Sequence, residues 1–141
     1  MPEGRPLPDH VVSLLTVLAA PDAARALALE QWDLLVRVSR GARLAAALGA
    51  RVPPDAVPER VAGALASEQA VVDHQNQMVR LELHELARAL APLDVPIVLL
   101  KGAAYLLADK AWARGRLLGD VDILVPRARL EAVERALLDK G

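Results

Sequence analysis

The spacing of apolar residues along this chain changes near residue 96, from a helical period to a strand period. In the first half of the chain, apolar side chains recur every three or four residues. This spacing predicts one helix from Asp9 to about Ala20, a second from Pro21 to about Ala28 and a third from Gln31 to Leu48. Asp9 precedes the first apolar run and is expected to cap that helix. Gly49 is a natural stop for the third helix.

A long fourth helix is predicted after a proline-rich loop at residues 52–57. Pro58 suits the first turn of a helix, where its missing N–H costs nothing. The helical spacing then continues to Leu90, which corresponds to about 50 Å at 1.5 Å per residue. A break near Ser67 is the alternative that the pattern leaves open. The region 1–92 is therefore predicted to be helical.

The last third of the chain alternates strands and helices. The pattern predicts a strand at 97–100, a helix at about 103–112, a second strand at 120–125 and a helix at about 127–139. This order is typical of helices that pack on a small mixed sheet. We therefore expect an α+β protein that is mostly α, with a helical region at 1–92 and an α/β region at 93–141. Two strands form only a marginal sheet, so another strand or another chain is expected to complete it.

Composition excludes several classes of protein. The 141 residues include no Cys, so a disulfide framework, a thiol nucleophile and a Cys-based zinc site are excluded. The net charge of −1 and the scarcity of aromatic residues argue against a nucleic-acid partner. No run reaches the about 18 uninterrupted apolar residues of a membrane span, and the N-terminus does not resemble a signal peptide. We expect a cytoplasmic protein with no membrane partner.

Two carboxylates stand out in the second predicted strand. Successive strand side chains alternate between faces, so Asp120 and Asp122 should point the same way, with Cα atoms roughly 6.6 Å apart. Two acids on one face of an apolar strand repel each other, and a divalent cation removes that repulsion. The pair therefore predicts a metal site. The alternative is a solvent-facing strand edge, with Asp120 closing a turn at Gly119.

A Lys-Gly turn follows the first predicted strand. Free backbone N–H groups at Gly102 and Ala103, at the start of a helix, can hold a phosphate. Lys101 adds a positive charge there, and Arg116, or else Arg114, can bind phosphate oxygens in a bidentate manner. The simpler readings are that Lys101 extends into solvent, that Gly102 only permits a tight turn, and that Arg116 pairs with a surface acid.

The sequence Lys101-Gly102-Ala103, together with Arg116 and the run Asp120-Val121-Asp122-Ile123-Leu124-Val125, resembles nucleotidyltransferase family 5. This family of bacterial proteins belongs to the DNA polymerase β-like nucleotidyltransferase superfamily, and the resemblance covers about residues 30–141. It implies a partial αβαβα nucleotidyltransferase core. The implied reaction is Mg²⁺-dependent transfer of a nucleoside monophosphate from a nucleoside triphosphate to an unknown acceptor. Asp120 and Asp122 would be the catalytic ligands of two Mg²⁺ ions, and Lys101, Gly102, Ala103 and Arg116 would bind the nucleotide.

The chain departs from the superfamily pattern in two places. Ala103 stands where a Ser hydroxyl usually contacts phosphate, although the closer family shares this change. The third carboxylate of the superfamily lies on a third strand, and this chain ends before such a strand. Two alternatives stay open. One is a truncated or degenerate, non-catalytic helical interaction module, in a homo-oligomer whose partner completes the sheet. The other is an antitoxin-like nucleotidyltransferase that modifies a partner protein.

Overall fold

The computed structural model describes residues 6–139, apart from the side chain of Trp112. The described part is mostly helical and contains a two-stranded antiparallel sheet, which confirms the α+β, mostly α fold class. The helices and strands are α1 (Asp9–Ala19), α2 (Leu29–Gly41), α3 (Ala45–Gly49), α4 (Glu59–Leu90), β1 (Val98–Leu99), α5 (Lys101–Leu107), β2 (Ile123–Leu124) and α6 (Leu130–Leu138). Short 3₁₀ segments lie at Pro21–Ala26, Pro54–Ala56, Ala91–Leu93, Ala111–Ala113 and Arg127–Arg129.

The described residues form two compact units. The first runs to Val72 and also includes Arg114–Arg116, and the second comprises Asp73–Ala113 and the residues from Leu117 onward. Helix α4 contributes residues to both units. The predicted domain boundary at residue 92 falls inside the second unit and stays a prediction.

The first unit is built around an aliphatic core that surrounds Trp32, whose side chain is fully buried. Among the described side chains the indole is the largest that is fully buried, and Leu and Val side chains from α1, α2 and α4 fill the space around it. The buried members of this core are Leu14, Val17, Ala24, Trp32, Leu35, Val36, Leu48, Val52, Val61 and Leu65.

The predicted single helix from Gln31 to Leu48 is wrong, because the chain turns between α2 and α3. The N–H of Leu44 donates to the carbonyl oxygen of Ser39 at 2.7 Å, and the N–H of Arg43 donates to that of Arg40 at 3.0 Å. This pair of bonds is a Schellman motif, in which the residue after the helix adopts a left-handed conformation. That residue is Arg43, with a φ of 57°. Glycine usually occupies this position, so an arginine there does not predict the end of a helix.

Two further predictions in the first unit also need correction. The segment predicted as a helix at 21–28 forms a 3₁₀ turn at Pro21–Ala26. Asp9 is the first residue of α1 and does not cap it: Pro8 occupies the N-cap position without a side-chain bond. The alternative break near Ser67 does not occur, since α4 continues through it unbroken. The Ser67 hydroxyl donates to the carbonyl oxygen of Gly63 at 2.9 Å.

The second unit contains the sheet, in which Val98 pairs with Leu124 and Leu99 with Ile123. The N–H of Leu100 donates to the carbonyl oxygen of Asp122 at 3.0 Å, which carries the same register one residue further. Both strands are shorter than the predicted 97–100 and 120–125. Helix α5 starts directly at Lys101, and it also ends earlier than the predicted 103–112.

Helix α4 packs against α5 and against the segment that contains Leu118. Val79 and Leu83 on α4 pack with Ala103 of α5 and with Leu118, and these four are buried. Leu99, Leu106 and Val121 pack against the same cluster. The Arg80 guanidinium donates through Nη2 to the carbonyl oxygen of Leu106 at 3.0 Å, near the end of α5. Helix α5 and the inner face of the sheet are therefore held on one side of α4.

The remaining helix of this unit follows β2 after one 3₁₀ turn. Two elements take the place of the predicted helix at 127–139. They are the 3₁₀ turn Arg127–Arg129 and helix α6, in which Val133 is buried. Arg129 Nη2 donates to the carbonyl oxygen of Leu93 at 2.6 Å, which ties this turn to the segment that leads into β1. Across residues 6–139, we find no helix that combines the length and the apolar character needed to cross a membrane.

Candidate functional site

The two faces of the sheet differ in exposure to solvent. Leu99 and Val121 pack inward against the buried cluster of the second unit. Val98 and Leu124 are 53% and 57% exposed, so the opposite face meets solvent. Side chains alternate along an extended chain, so Asp122 shares the outer face with Leu124. Asp122 therefore faces outward, away from the buried cluster.

The sequence predicted both acids within the second strand, but they lie just before β2. Strand β2 begins at Ile123, and both Asp120 and Asp122 belong to the segment that leads into it. Asp122 still keeps the sheet register through the bond from Leu100 to its carbonyl oxygen. Its side chain is half-buried, whereas Asp120 is exposed.

Lys101 forms an ion pair with Asp122, with Nζ at 2.8 Å from Oδ2. The side chain of Lys101 is 73% exposed and that of Asp122 is 34% exposed. The hydrogen bond to Asp122 is the main cause that raises the pKa of Lys101, followed by the charge of Asp122 and, more weakly, that of Asp120. Lys101 and Asp122 are therefore in direct contact, and Asp120 lies two residues before Asp122 along the chain.

The backbone at Lys101 is unusual. Its φ is 51°, in the left-handed region that side chains other than glycine rarely occupy. This residue lies where the chain leaves β1 and enters α5, with Leu100 still extended at the N-cap position. Strained conformations of this kind persist when the surrounding structure holds them, and they are frequent at functional sites. The sharp turn directs the chain into α5 immediately after the strand.

Gly102 and Ala103 have packing roles. A β-carbon at Gly102 would collide with Cδ2 of Leu118, so only glycine fits there without a shift. The side chain of Ala103 is 1% exposed and lies in the buried cluster. Only the backbone of these two residues therefore remains to contact a ligand. Their predicted contact with phosphate stays a prediction.

Arg116 belongs to the first unit, together with Arg114 and Gly115. Gly115 has a φ of 74° and lies against the backbone of Ala46 and Ala47, which fixes this segment in its own unit. The side chain of Arg116 is exposed. Its predicted role in phosphate binding stays a prediction.

The donor chemistry of the site suits Mg²⁺. Carboxylate oxygens are the ligands that Mg²⁺ prefers, and one or two of them suffice when waters and substrate phosphates supply the rest. Asp122 already binds a cation in this structure, the ammonium group of Lys101. Among residues 6–139, no group of three or more His, Cys, Asp or Glu side chains is placed to hold a metal ion. Two carboxylates alone would leave most coordination positions of such an ion to water or to other ligands.

Two residues on α4 support the site, and sequence reasoning gave them no such role. Arg80 binds the carbonyl oxygen of Leu106 in α5, as described above. Gln75 Nε2 lies 3.5 Å from the carbonyl oxygen of Leu118, on the segment that leads to Asp120. The only sequence signal was a polar run at residues 74–77 in an amphipathic helix, which does not identify a partner.

Comparison with known proteins gives one match. A family model described as uncharacterised nucleotidyltransferase matches residues 29–141, which is more than half of the chain and includes Lys101, Asp120 and Asp122. Searches of curated proteins and of solved structures found no match. The chain therefore belongs to this family of uncharacterised nucleotidyltransferases.

Proposed function

We propose that the chain binds a nucleoside triphosphate with Mg²⁺ and transfers its nucleoside monophosphate to an acceptor hydroxyl. The observation that carries this proposal is the ion pair between Lys101 and Asp122 on the exposed side of the second unit, with Asp120 two residues before Asp122. The family match supports the class of reaction. The metal, the nucleotide and the acceptor are parts of the proposal.

Each group at the site has a distinct role in this proposal. Asp120 and Asp122 hold the metal through their carboxylate oxygens. Lys101 binds the polyphosphate, with the backbone N–H groups of Gly102 and Ala103 beside it. When bound, Mg²⁺ offsets the negative charge that builds up on the phosphoryl and leaving oxygens.

The proposed reaction is a single displacement at phosphorus. The acceptor oxygen forms a bond to the α-phosphorus, and the bond from that phosphorus to the bridging oxygen of the β-phosphate breaks. Pyrophosphate leaves with the electron pair of the broken bond, and the hydroxyl proton passes to water. Lys101 holds the polyphosphate in place while charge moves onto the leaving group.

The acceptor is either a small molecule or a side-chain hydroxyl of a partner protein. A nucleotide labelled at the α-phosphate distinguishes the two. Label that appears in a co-purified protein indicates protein modification, as in the antitoxin-like alternative. Label that appears only in a small product indicates a soluble acceptor.

Calorimetric titration with a non-hydrolysable triphosphate analogue, with and without Mg²⁺, tests the proposal. The Asp122→Asn variant should lose Mg²⁺-dependent binding. Asp109→Asn is a matched control, because Asp109 is exposed at the end of α5 and its left-handed φ of 45° also suits asparagine. If Asp122→Asn binds the analogue with unchanged affinity and unchanged Mg²⁺ dependence, the proposal fails. A folded chain that binds no triphosphate would favour the interaction module.

A further inference from the structure

We propose that Lys101 competes with metal for Asp122, so that the site binds a free divalent cation weakly and binds one that arrives with a polyphosphate more tightly. This inference rests on the proposed function, and it adds a selection rule to it. The ion pair then acts as an exchangeable contact: the metal replaces the ammonium group at Asp122, and the ammonium group moves to a phosphate oxygen.

The geometry of the pair makes Lys101 a direct competitor. Nζ lies 2.8 Å from Oδ2 of Asp122, which places a positive charge where a metal would coordinate. A dication that approaches Asp122 therefore meets a like charge at close range, and like charges repel. The metal binds there only after the ammonium group has moved away.

The charges of Lys101, Asp120 and Asp122 favour replacement of the ammonium group by a metal only when a phosphate is present. Asp120, Asp122 and Lys101 together carry a charge of −1, and without the lysine they would carry −2. The bare pair of acids would attract a free dication more strongly than the native trio does. A polyphosphate changes this balance because its oxygens accept the displaced ammonium group, so no charge is left unpaired.

The side chain of Lys101 is free to make the exchange, whereas its backbone is held. The side chain is 73% exposed, and a lysine stem has several rotatable bonds that can carry its charge to a new partner. The Cα position is fixed between β1 and α5, with Gly102 packed on Leu118 directly behind it. The exchange therefore needs side-chain rotation and no change in the fold.

Electron paramagnetic resonance titration with Mn²⁺ tests this inference on the 141-residue chain. Mn²⁺ replaces Mg²⁺ as the probe and is added alone or with a non-hydrolysable triphosphate analogue. Lys101→Met should bind free Mn²⁺ about two- to fivefold more tightly, the range expected when an exposed ion pair is removed. The same variant should bind Mn²⁺ with the analogue more weakly than the native chain. Lys101→Arg should keep the weak binding of free Mn²⁺.

Lys110→Met is the matched control, because it removes the same charge from an exposed position of the same unit. It should titrate like the native chain under both conditions. Thermal unfolding of each variant, followed by circular dichroism, checks that the second unit remains folded.

The outcomes separate this inference from the proposed function. If Lys101→Met does not bind free Mn²⁺ more tightly, Lys101 is not a competitor and the inference is overturned. Weaker binding under both conditions also overturns it, because Lys101 would then only support the site. The proposed function fails separately if Asp122→Asn binds Mn²⁺ with the analogue as tightly as the native chain does.

Discussion

Gly102 lies directly against the side chain of Leu118, with no room for a β-carbon between them. Leu118 is 6% exposed and packs with Val79 and Leu83 of α4, so it has little space to retreat. Through this contact, the first turn of α5, which carries Lys101, rests on the segment that leads to Asp120. The relative position of the lysine and the acids therefore depends on one glycine.

Gly102→Ala should destabilise the chain by about 1–3 kcal/mol, because the added methyl group forces Leu118 out of a packed position. Urea unfolding measures the change in the free energy of unfolding. Gly63→Ala is the control: Gly63 lies within α4 with open space around it, and alanine there should stabilise by about 0.5–1 kcal/mol. Equal stability of Gly102→Ala and the native chain would contradict the packing account.

The turn between α2 and α3 predicts a stabilising substitution. Arg43 has a φ of 57°, and glycine adopts this conformation without strain. Arg43→Gly should therefore raise the free energy of unfolding by about 1 kcal/mol. Arg37→Gly, in the middle of α2, should lower it by about the same amount. Destabilisation by both substitutions would show that Arg43 stabilises the turn by contacts that outweigh its strain.

Arg80 should stabilise α5 through its bond to the carbonyl oxygen of Leu106. A cation near the C-terminus of a helix contributes about 0.3–1 kcal/mol, so Arg80→Met should weaken the end of α5 by that amount. Amide hydrogen exchange should then be faster in α5 than in the native chain. Arg88→Met removes a guanidinium that pairs with Glu85 on α4 itself, and it should leave exchange in α5 unchanged. Identical exchange in the two variants would contradict this role.

The first unit predicts a dependence of stability on pH. Arg25 donates two hydrogen bonds to Asp55, at 2.6 and 3.1 Å, and these bonds lower the pKa of Asp55. A carboxyl group whose pKa is lower in the folded state stabilises the fold above its unfolded pKa of about 3.9, and this contribution disappears as the pH falls through the folded value. The melting temperature of the native chain should therefore be higher than that of Asp55→Asn at pH 7. This difference in melting temperature should vanish at a pH where Asp55 is protonated.

A double-mutant cycle of Arg25→Gln and Asp55→Asn isolates this ion pair from the other effects of each substitution. The coupling between the two sites should be favourable at pH 7 and absent at a pH where Asp55 is protonated. A coupling that stays constant over this range would show that the ion pair does not cause the pH dependence.

The sequence predicted the elements that depend on local pattern. The helical spacing of α4 and the change of period near residue 96 gave the long helix and the β-α-β-α order, because both are set by which residues must be buried. The pattern did not give the lengths of the strands. The end of β1 depends on where Lys101 turns the chain into α5, at a left-handed residue that is not glycine.

In the candidate site, too, some features follow from local sequence pattern and others depend on strand register and tertiary packing. The spacing of Asp120 and Asp122 predicted that both acids face one side of the sheet, since alternation is a local property. The pairing of Lys101 with Asp122 depends on the register of β1 against β2, which the sequence does not encode locally. The support from Arg80 and Leu118 depends on tertiary packing, and a single sequence carries no direct signal for it.

The most direct test of the account is to locate the metal by nuclear magnetic resonance. Substoichiometric Mn²⁺ broadens the signals of nearby amide groups, so a ¹⁵N-labelled chain reports which residues lie close to it. In the presence of a non-hydrolysable triphosphate analogue, the amide signals of residues 101–103 and 120–122 should broaden first. Broadening centred on other residues, or none at saturating analogue, would contradict a shared metal and polyphosphate site at the lysine-glycine turn and the two acids.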